Sequence, residues 1–196
     1  MTAAPLPDWL TPPEEGYTAE DLDRIPDLPP HTELIDGSLV FVSPQSMFHM
    51  VVIDRLLAAL KSQAPDGLVV IREMTMTLAP RQRPEPDLSI VTEAAIRSLR
   101  QTDLPVQEAL LVVEVVSPSS EVFDRERKPQ LYAAAGIPNY WRIEDEGGTV
   151  VIHAYALAPD ATYKLDAVHR RQLETDRPFQ ISIDLSSLTD LFGTDW

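Results

Sequence analysis

The chain has no cysteine. Disulfides and thiolate metal sites are therefore excluded, and the composition fits a cytoplasmic protein, the location we expect. Positive charge is scarce as well. Sixteen Lys and Arg stand against 31 Asp and Glu, a formal net charge of −15, and Lys61, Lys128 and Lys164 are the only lysines. That balance argues against a broad electropositive footprint for nucleic acid, but a local basic residue in an acidic, metal-neutralised site remains compatible with it. No apolar run approaches the roughly 20 residues that cross a bilayer, so no membrane association is expected. Met1–Leu10 has neither a basic n-region nor an apolar h-region, so no export signal is expected. What remains is 196 residues, 44% hydrophobic and 24% charged, enough for one soluble domain with a sizeable core.

Residues 1–30 carry seven of the 18 prolines and seven acids against one base, Arg24. Such a segment reads as an extended arm, with a short helix opened by the capping box Thr18–Asp21 and closed before Pro26. Residues 31–196 form the expected domain. Asp36-Gly37 between two apolar stretches predicts a hairpin over Thr32–Val42. Ser43, Pro44 and Ser46 mark a helix start, and the spacing of His49, Val52, Ile53, Leu56, Leu57 and Leu60 predicts one buried face through Lys61. Leu68–Ile71, Met74–Leu78 and Asp87–Val91 read as strands, Glu93–Leu99 as a weak helix, and Gln130–Ala135 as a helix stopped at Gly136. Tyr140–Ile143 pairs with Val150–Tyr155 across Glu146-Gly147-Gly148. Tyr163–Leu165 and Phe179–Ile183 are further strands, and Leu185–Phe192 a closing helix. This order predicts a mixed α/β layer fold.

The informative stretch is Leu110–Lys128. Leu110 to Val116 is apolar throughout except for Glu114, as expected of a strand covered on both faces. A carboxylate placed there must be paired, bind a cation or stay protonated. An ion pair with Arg72 or Arg142 is one way to satisfy it. Strand parity puts Glu114 on the face of Val112 and Val116. If the strand opened by Asp87 lies alongside, two carboxylates converge. Oxygen ligands of this kind suit a hard cation such as Mg²⁺. With His31, His49, His153 and His169 scattered, zinc is not expected. Ser117, Ser119 and Ser120 fit a turn with a helix cap better than a nucleophile, since no His–Asp pair is placed to activate one.

Pro86-Asp87, then an acid inside an apolar strand, then a lysine, resembles the PD-(D/E)XK nuclease superfamily. Glu33-Leu34-Ile35-Asp36-Gly37, Ser43-Pro44 with His49, Glu114 through Ser120, Asp124 with Lys128, Tyr132, Gly136-Ile137-Pro138 and Tyr140-Trp141 resemble, in that order, the Uma-two family of restriction-endonuclease-like proteins, over about Tyr17 to Phe192. The resemblance implies a restriction-endonuclease-like mixed β-sheet core flanked by helices, and a metal-dependent nuclease acting on DNA. It implies Asp87 and Glu114 as metal-binding acids with the Val115 carbonyl, Mg²⁺ or Mn²⁺ as the ion, Glu33 as an outer carboxylate and His49 near the site. The superfamily lysine stands two residues after the second acid, where this chain has Val116. The family instead points to Lys128 on the following helix. Lys128 is also four residues from Asp124, the spacing of an ordinary surface pair. Pro129 is expected to bias Lys128 away from helical angles. Edge strands and an exposed region of Tyr132, Tyr140 and Trp141 are expected to be able to support a homodimer. Two other function classes fit the same residues: a nuclease-fold interaction module without activity, and a hydrolase of another phosphodiester.

Overall fold

The computed structural model describes residues 11–41, 44–118 and 120–190. The first ten residues of the arm, Val42, Ser43, Ser119 and the expected helical residues Leu191 and Phe192 lie outside them. The described chain opens with α1 (Ala19–Leu22), whose capping box from Thr18 to Asp21 is formed. Next come β1 (Glu33–Ile35) and β2 (Ser38–Val40), then α2 (Met47–Gln63). The turn between β1 and β2 puts Asp36 at φ 54° and Gly37 at φ 76°. Two successive positive φ values make the tight turn that Asp-Gly favours.

After β3 (Leu68–Arg72), β4 (Thr75–Met76), β5 (Leu88–Thr92) and β6 (Asp103–Leu104), the acid-bearing strand is β7 (Ala109–Val115). A π-helical turn at Phe123–Arg127 leads into α3 (Lys128–Ala134). Then follow β8 (Asn139–Glu146), β9 (Thr149–Leu157), β10 (Tyr163–His169), β11 (Gln172–Thr175), β12 (Ile181–Asp184) and a 3₁₀ turn at Leu185–Leu188. Six strands form one mixed sheet in the order β10-β9-β8-β7-β5-β3, with β7 and β8 parallel across α3 and the other pairs antiparallel.

The parity of β7 decides the layers. Leu111, Val113 and Val115 join Val52, Ile53, Leu56 and Leu60 of α2 in one core cluster, capped by the β11–β12 hairpin. Val112, on the opposite face, packs with Tyr132, Ile137 and Tyr140 beneath α3. Glu114 shares that second face, so its side chain is directed to α3 and away from water.

Several expectations are corrected. Tyr132, Tyr140 and Trp141 are buried, so the surface argument for a homodimer does not hold. The Glu93–Leu99 helix shrinks to a 3₁₀ turn at Glu93–Ala95. Met74–Leu78 reduces to β4, which pairs with β6 in a small parallel sheet. The arm's described part is docked: Tyr17 and Ala19 pack on Leu34, and buried Arg83 donates to Asp23 Oδ1 at 2.7 Å and to the Ala19 carbonyl at 3.2 Å. Among the described residues, no helix is long and apolar enough to cross a membrane.

Candidate active site

Five elements, β1, α2, β5, β7 and α3, converge where β5 begins and β7 ends. The antiparallel register sets Leu88 opposite Val113, so Asp87, one residue before β5, falls beside Glu114. Asp87 Oδ2 accepts the Val115 N–H at 2.6 Å. In an antiparallel strand a residue's N–H and C=O point to the same edge, so the Val115 carbonyl faces the same side. α2 adds His49, whose Nε2 lies 3.1 Å from Asp87 Oδ1. Ser46 caps that helix by accepting the His49 N–H, which fixes the first turn against the strand ends.

Lys128 comes from the other side of the sheet. Its φ of −58° and ψ of −42° are helical, contrary to the bias expected from Pro129. The reason lies upstream. The Lys128 N–H bonds the Phe123 carbonyl five residues back, a π turn. The wider turn runs directly into α3, and Pro129 stands just after it, in the first turn of α3. The side chain then enters a buried acidic nest. Nζ lies 3.0 Å from Glu33 Oε1, 3.2 Å from Glu114 Oε1 and 3.3 Å from Asp124 Oδ1. The Asp124–Lys128 spacing does make an i,i+4 pair, but an interior one, with both residues under 5% exposed.

The hairpin that carries Glu33 is tied to the same segment. Arg127, beside Lys128, clamps Asp36 with two guanidinium nitrogens and holds its carboxyl down at about 2. Glu33 itself accepts the Glu85 N–H at 2.7 Å, which links β1 to the loop before Asp87.

Burial pushes the Glu114 carboxyl well above the usual carboxylate range, against the pull of the Lys128 ammonium. Asp124 is raised for the same reason, with the Lys128 ammonium facing its Oδ1. Burial alone would depress the Lys128 amine, but Glu114, Glu33 and Asp124 together outweigh it and hold the amine well above its ordinary value. Lys128 is therefore an ammonium at neutral pH. Tyr132 donates its hydroxyl to Glu114 Oε1 at 2.5 Å, and Tyr140 donates to the Asp124 carbonyl at 2.7 Å. The alternative partners for Glu114 are occupied elsewhere: Arg72 pairs with Asp54 and Glu73, and Arg142 with Glu144.

All five sequence-selected side chains, Asp87, Glu114, Lys128, Glu33 and His49, line one cavity of about 400 Å³, as does Val115. Sequence reasoning gave no site role to Asp124, Tyr132, Glu85 or His31, although the Asp124–Lys128 spacing carried a signal for the first. Ser117 and Ser120 line the cavity too, bonded to one another as a turn (Oγ to Oγ 2.9 Å). The remaining acids of the wall are Glu73, Glu85 and Asp124, so six carboxylates face a single lysine. Among the described residues, no group of three or more His, Asp or Glu side chains is arranged to hold a metal ion. A Mg²⁺ site needs only one or two carboxylates and retains several waters. The strongly acidic wall, with carboxylate oxygens of Asp87 and Glu114 in it, fits such an ion.

The family model described as "Uma2: Putative restriction endonuclease" matches residues 19–186. Among solved structures, the chain is similar to one described as "a putative nuclease belonging to DUF820 from Anabaena variabilis ATCC 29413". The TM-score is 0.65 at 14% identity, over 88% of this chain and 97% of that one. At that identity the likeness establishes the fold alone. No curated protein matches the chain. With a family match across nearly the whole described chain and a mixed sheet flanked by helices like that of the nuclease-fold neighbour, this chain belongs to the Uma2 family of restriction-endonuclease-like proteins.

Proposed function

We propose that this protein hydrolyses phosphodiester bonds of DNA with the aid of Mg²⁺, or Mn²⁺ in its place. The observation that supports this most is the junction of Asp87, Glu114 and Lys128 in one cavity, delivered by three separate elements. Asp87, Glu114 and the Val115 carbonyl would hold the ion. Once bound, it makes water a stronger acid and shields the charge of the scissile phosphate.

The protein's own groups supply the rest. Lys128 keeps its proton, so it has no lone pair with which to act as a base. Its role is to donate hydrogen bonds to the phosphoryl oxygens as negative charge grows there. Glu33 and Asp124 hold that amine in place at 3.0 and 3.3 Å. His49 fixes the Asp87 carboxylate through Oδ1, and Tyr132 fixes Glu114 through Oε1. Purified protein should cleave DNA in Mg²⁺. Chelation by EDTA, or Lys128→Ala, should abolish cleavage, and activity that persists in EDTA would overturn the metal role.

One observation favours a second reading, an inactive interaction module: Lys128 already pairs with three buried carboxylates, as in a purely structural ion cluster. Under that reading, calorimetry finds no difference in Mg²⁺ binding between wild type and Asp87→Ala. Activity on small phosphodiesters but not on DNA would instead point to another substrate.

A further inference from the structure

We infer that Tyr132 sets the ion preference of this site. It acts as a positioning residue that ties up one oxygen of Glu114 and leaves the other as a single-oxygen ligand, suited to Mg²⁺ rather than Ca²⁺. The inference deepens the metal-dependent reading above and rests on it.

Lys128 and Tyr132 stand four residues apart on α3, one turn, and so share a face of that helix. Both reach the same atom. The Tyr132 hydroxyl donates to Glu114 Oε1 at 2.5 Å, and Lys128 Nζ lies 3.2 Å from that oxygen. An ionised carboxylate has about four lone-pair sites, two on each oxygen, so two donors fill Oε1. Among the described residues Oε2 accepts no hydrogen bond and is not sealed in protein, so it is the oxygen that Glu114 turns to the cavity. Asp87 is constrained as well. Its Oδ2 accepts the Val115 N–H at 2.6 Å and its Oδ1 faces His49 Nε2 at 3.1 Å, so neither oxygen is left wholly free.

Of the two groups on Oε1, Tyr132 is the one dedicated to it. Lys128 divides its charge among Glu33, Glu114 and Asp124, and Glu33 is the nearest. Tyr132 directs its hydroxyl to Glu114 and is fully buried among Val112, Ile137 and Tyr140. A ring so packed has no room to swing away.

Single-oxygen carboxylates discriminate between the two ions. Mg²⁺ keeps several waters in a tight octahedron and takes only one or two carboxylates. Ca²⁺ is larger and gathers about six to eight oxygens, often from a carboxylate that chelates through both of its own. With Oε1 occupied, Glu114 cannot chelate in that way, and the smaller ion is favoured.

Calorimetry with Mg²⁺ and with Ca²⁺ on wild type, Tyr132→Phe and Tyr140→Phe tests this, with the heats of Asp87→Asn subtracted as background from other acids. Tyr140→Phe is the matched control, since it deletes an equally buried hydroxyl that donates to the Asp124 carbonyl at 2.7 Å instead of to Glu114. Wild type should bind Mg²⁺ at least about tenfold more tightly than Ca²⁺. Tyr132→Phe should lower that ratio about tenfold, the scale of one hydrogen bond to a charged group, through tighter Ca²⁺ binding. Tyr140→Phe should keep the wild-type ratio. Equal affinities in wild type, an unchanged ratio in Tyr132→Phe, or the same shift in Tyr140→Phe would overturn the inference while leaving the metal reading in place. A wild type that binds no Mg²⁺ would bring down both.

Discussion

Lys128→Met is the substitution that most directly probes the interior charge cluster. Methionine approximates the lysine's volume, so the packing beneath α3 changes little while the ammonium disappears. Glu33, Glu114 and Asp124, all within 3.3 Å of that ammonium, then face one another without a counter-charge. Removing one partner of a buried pair costs about 3–5 kcal/mol. At about 2–4 °C per kcal/mol for a chain of this size, Tm at pH 8 should fall by about 6–20 °C. The loss should depend on pH with a definite sign. Glu114 already sits above its ordinary 4.5 because of burial, and removing Lys128 removes the pull that opposes the rise. A carboxyl whose folded pKa exceeds its unfolded one binds extra protons in the folded state. Its stability contribution is full below the unfolded value and is lost as pH rises through the folded one. The variant should therefore recover much of its deficit on acidification from pH 8 toward 5, followed by urea or thermal unfolding. A variant as stable as wild type at pH 8, or one whose deficit does not vary with pH, would refute the charge assignment.

Four further outcomes are expected. Tyr132→Phe deletes the buried donor to Glu114 Oε1; hydrogen bonds to charged groups contribute about 1.5–3 kcal/mol, so chemical denaturation should show a loss of that order. Asp87→Asn and Glu114→Gln should each abolish Mg²⁺ heat in calorimetry and DNA cleavage in gels, while circular dichroism stays that of the wild type. His31 is raised above 6.5 mainly by its hydrogen bond with Glu85; the stability it adds is complete below 6.5 and fades as pH rises through the folded value, which NMR titration of the ring and its loss in His31→Gln would check. Leu56→Ala, at a side chain of 0% exposure beneath the sheet, should cost about 2–5 kcal/mol by urea unfolding without moving the cavity residues.

What the sequence determined by itself was local. Apolar period and punctuation sufficed for α2, for the Asp36-Gly37 turn and for β7, because each is set by neighbours within a few residues. The single acid in β7 was legible as a site for the same reason, since nothing in an oily strand explains a carboxylate except a partner. Asp87 came from strand parity, as a carboxylate able to converge with Glu114; Lys128, Glu33 and His49 as candidate site residues came from a family resemblance in the order of motifs. The antiparallel register of β5 on β7 set Asp87 beside Glu114, and the packing of α2, α3 and β1 brought His49, Lys128 and Glu33 to the same cavity. Tertiary structure also decided what long-range packing controls. The spacing of Asp124 and Lys128 is the same on a wet helix as on a dry one, so only their burial under the sheet turned a surface pair into an interior nest. Pro129 was misread because its local bias against helix was relieved by a π turn that no composition rule announces. Tyr132, Tyr140 and Trp141 looked like a surface because aromatic residues serve both exteriors and cores. Tyr132 and Tyr140 became core when α3 closed over β7 and β8, Trp141 when α2 covered the other face, and with the first closure the lone lysine of the cavity met its three acids.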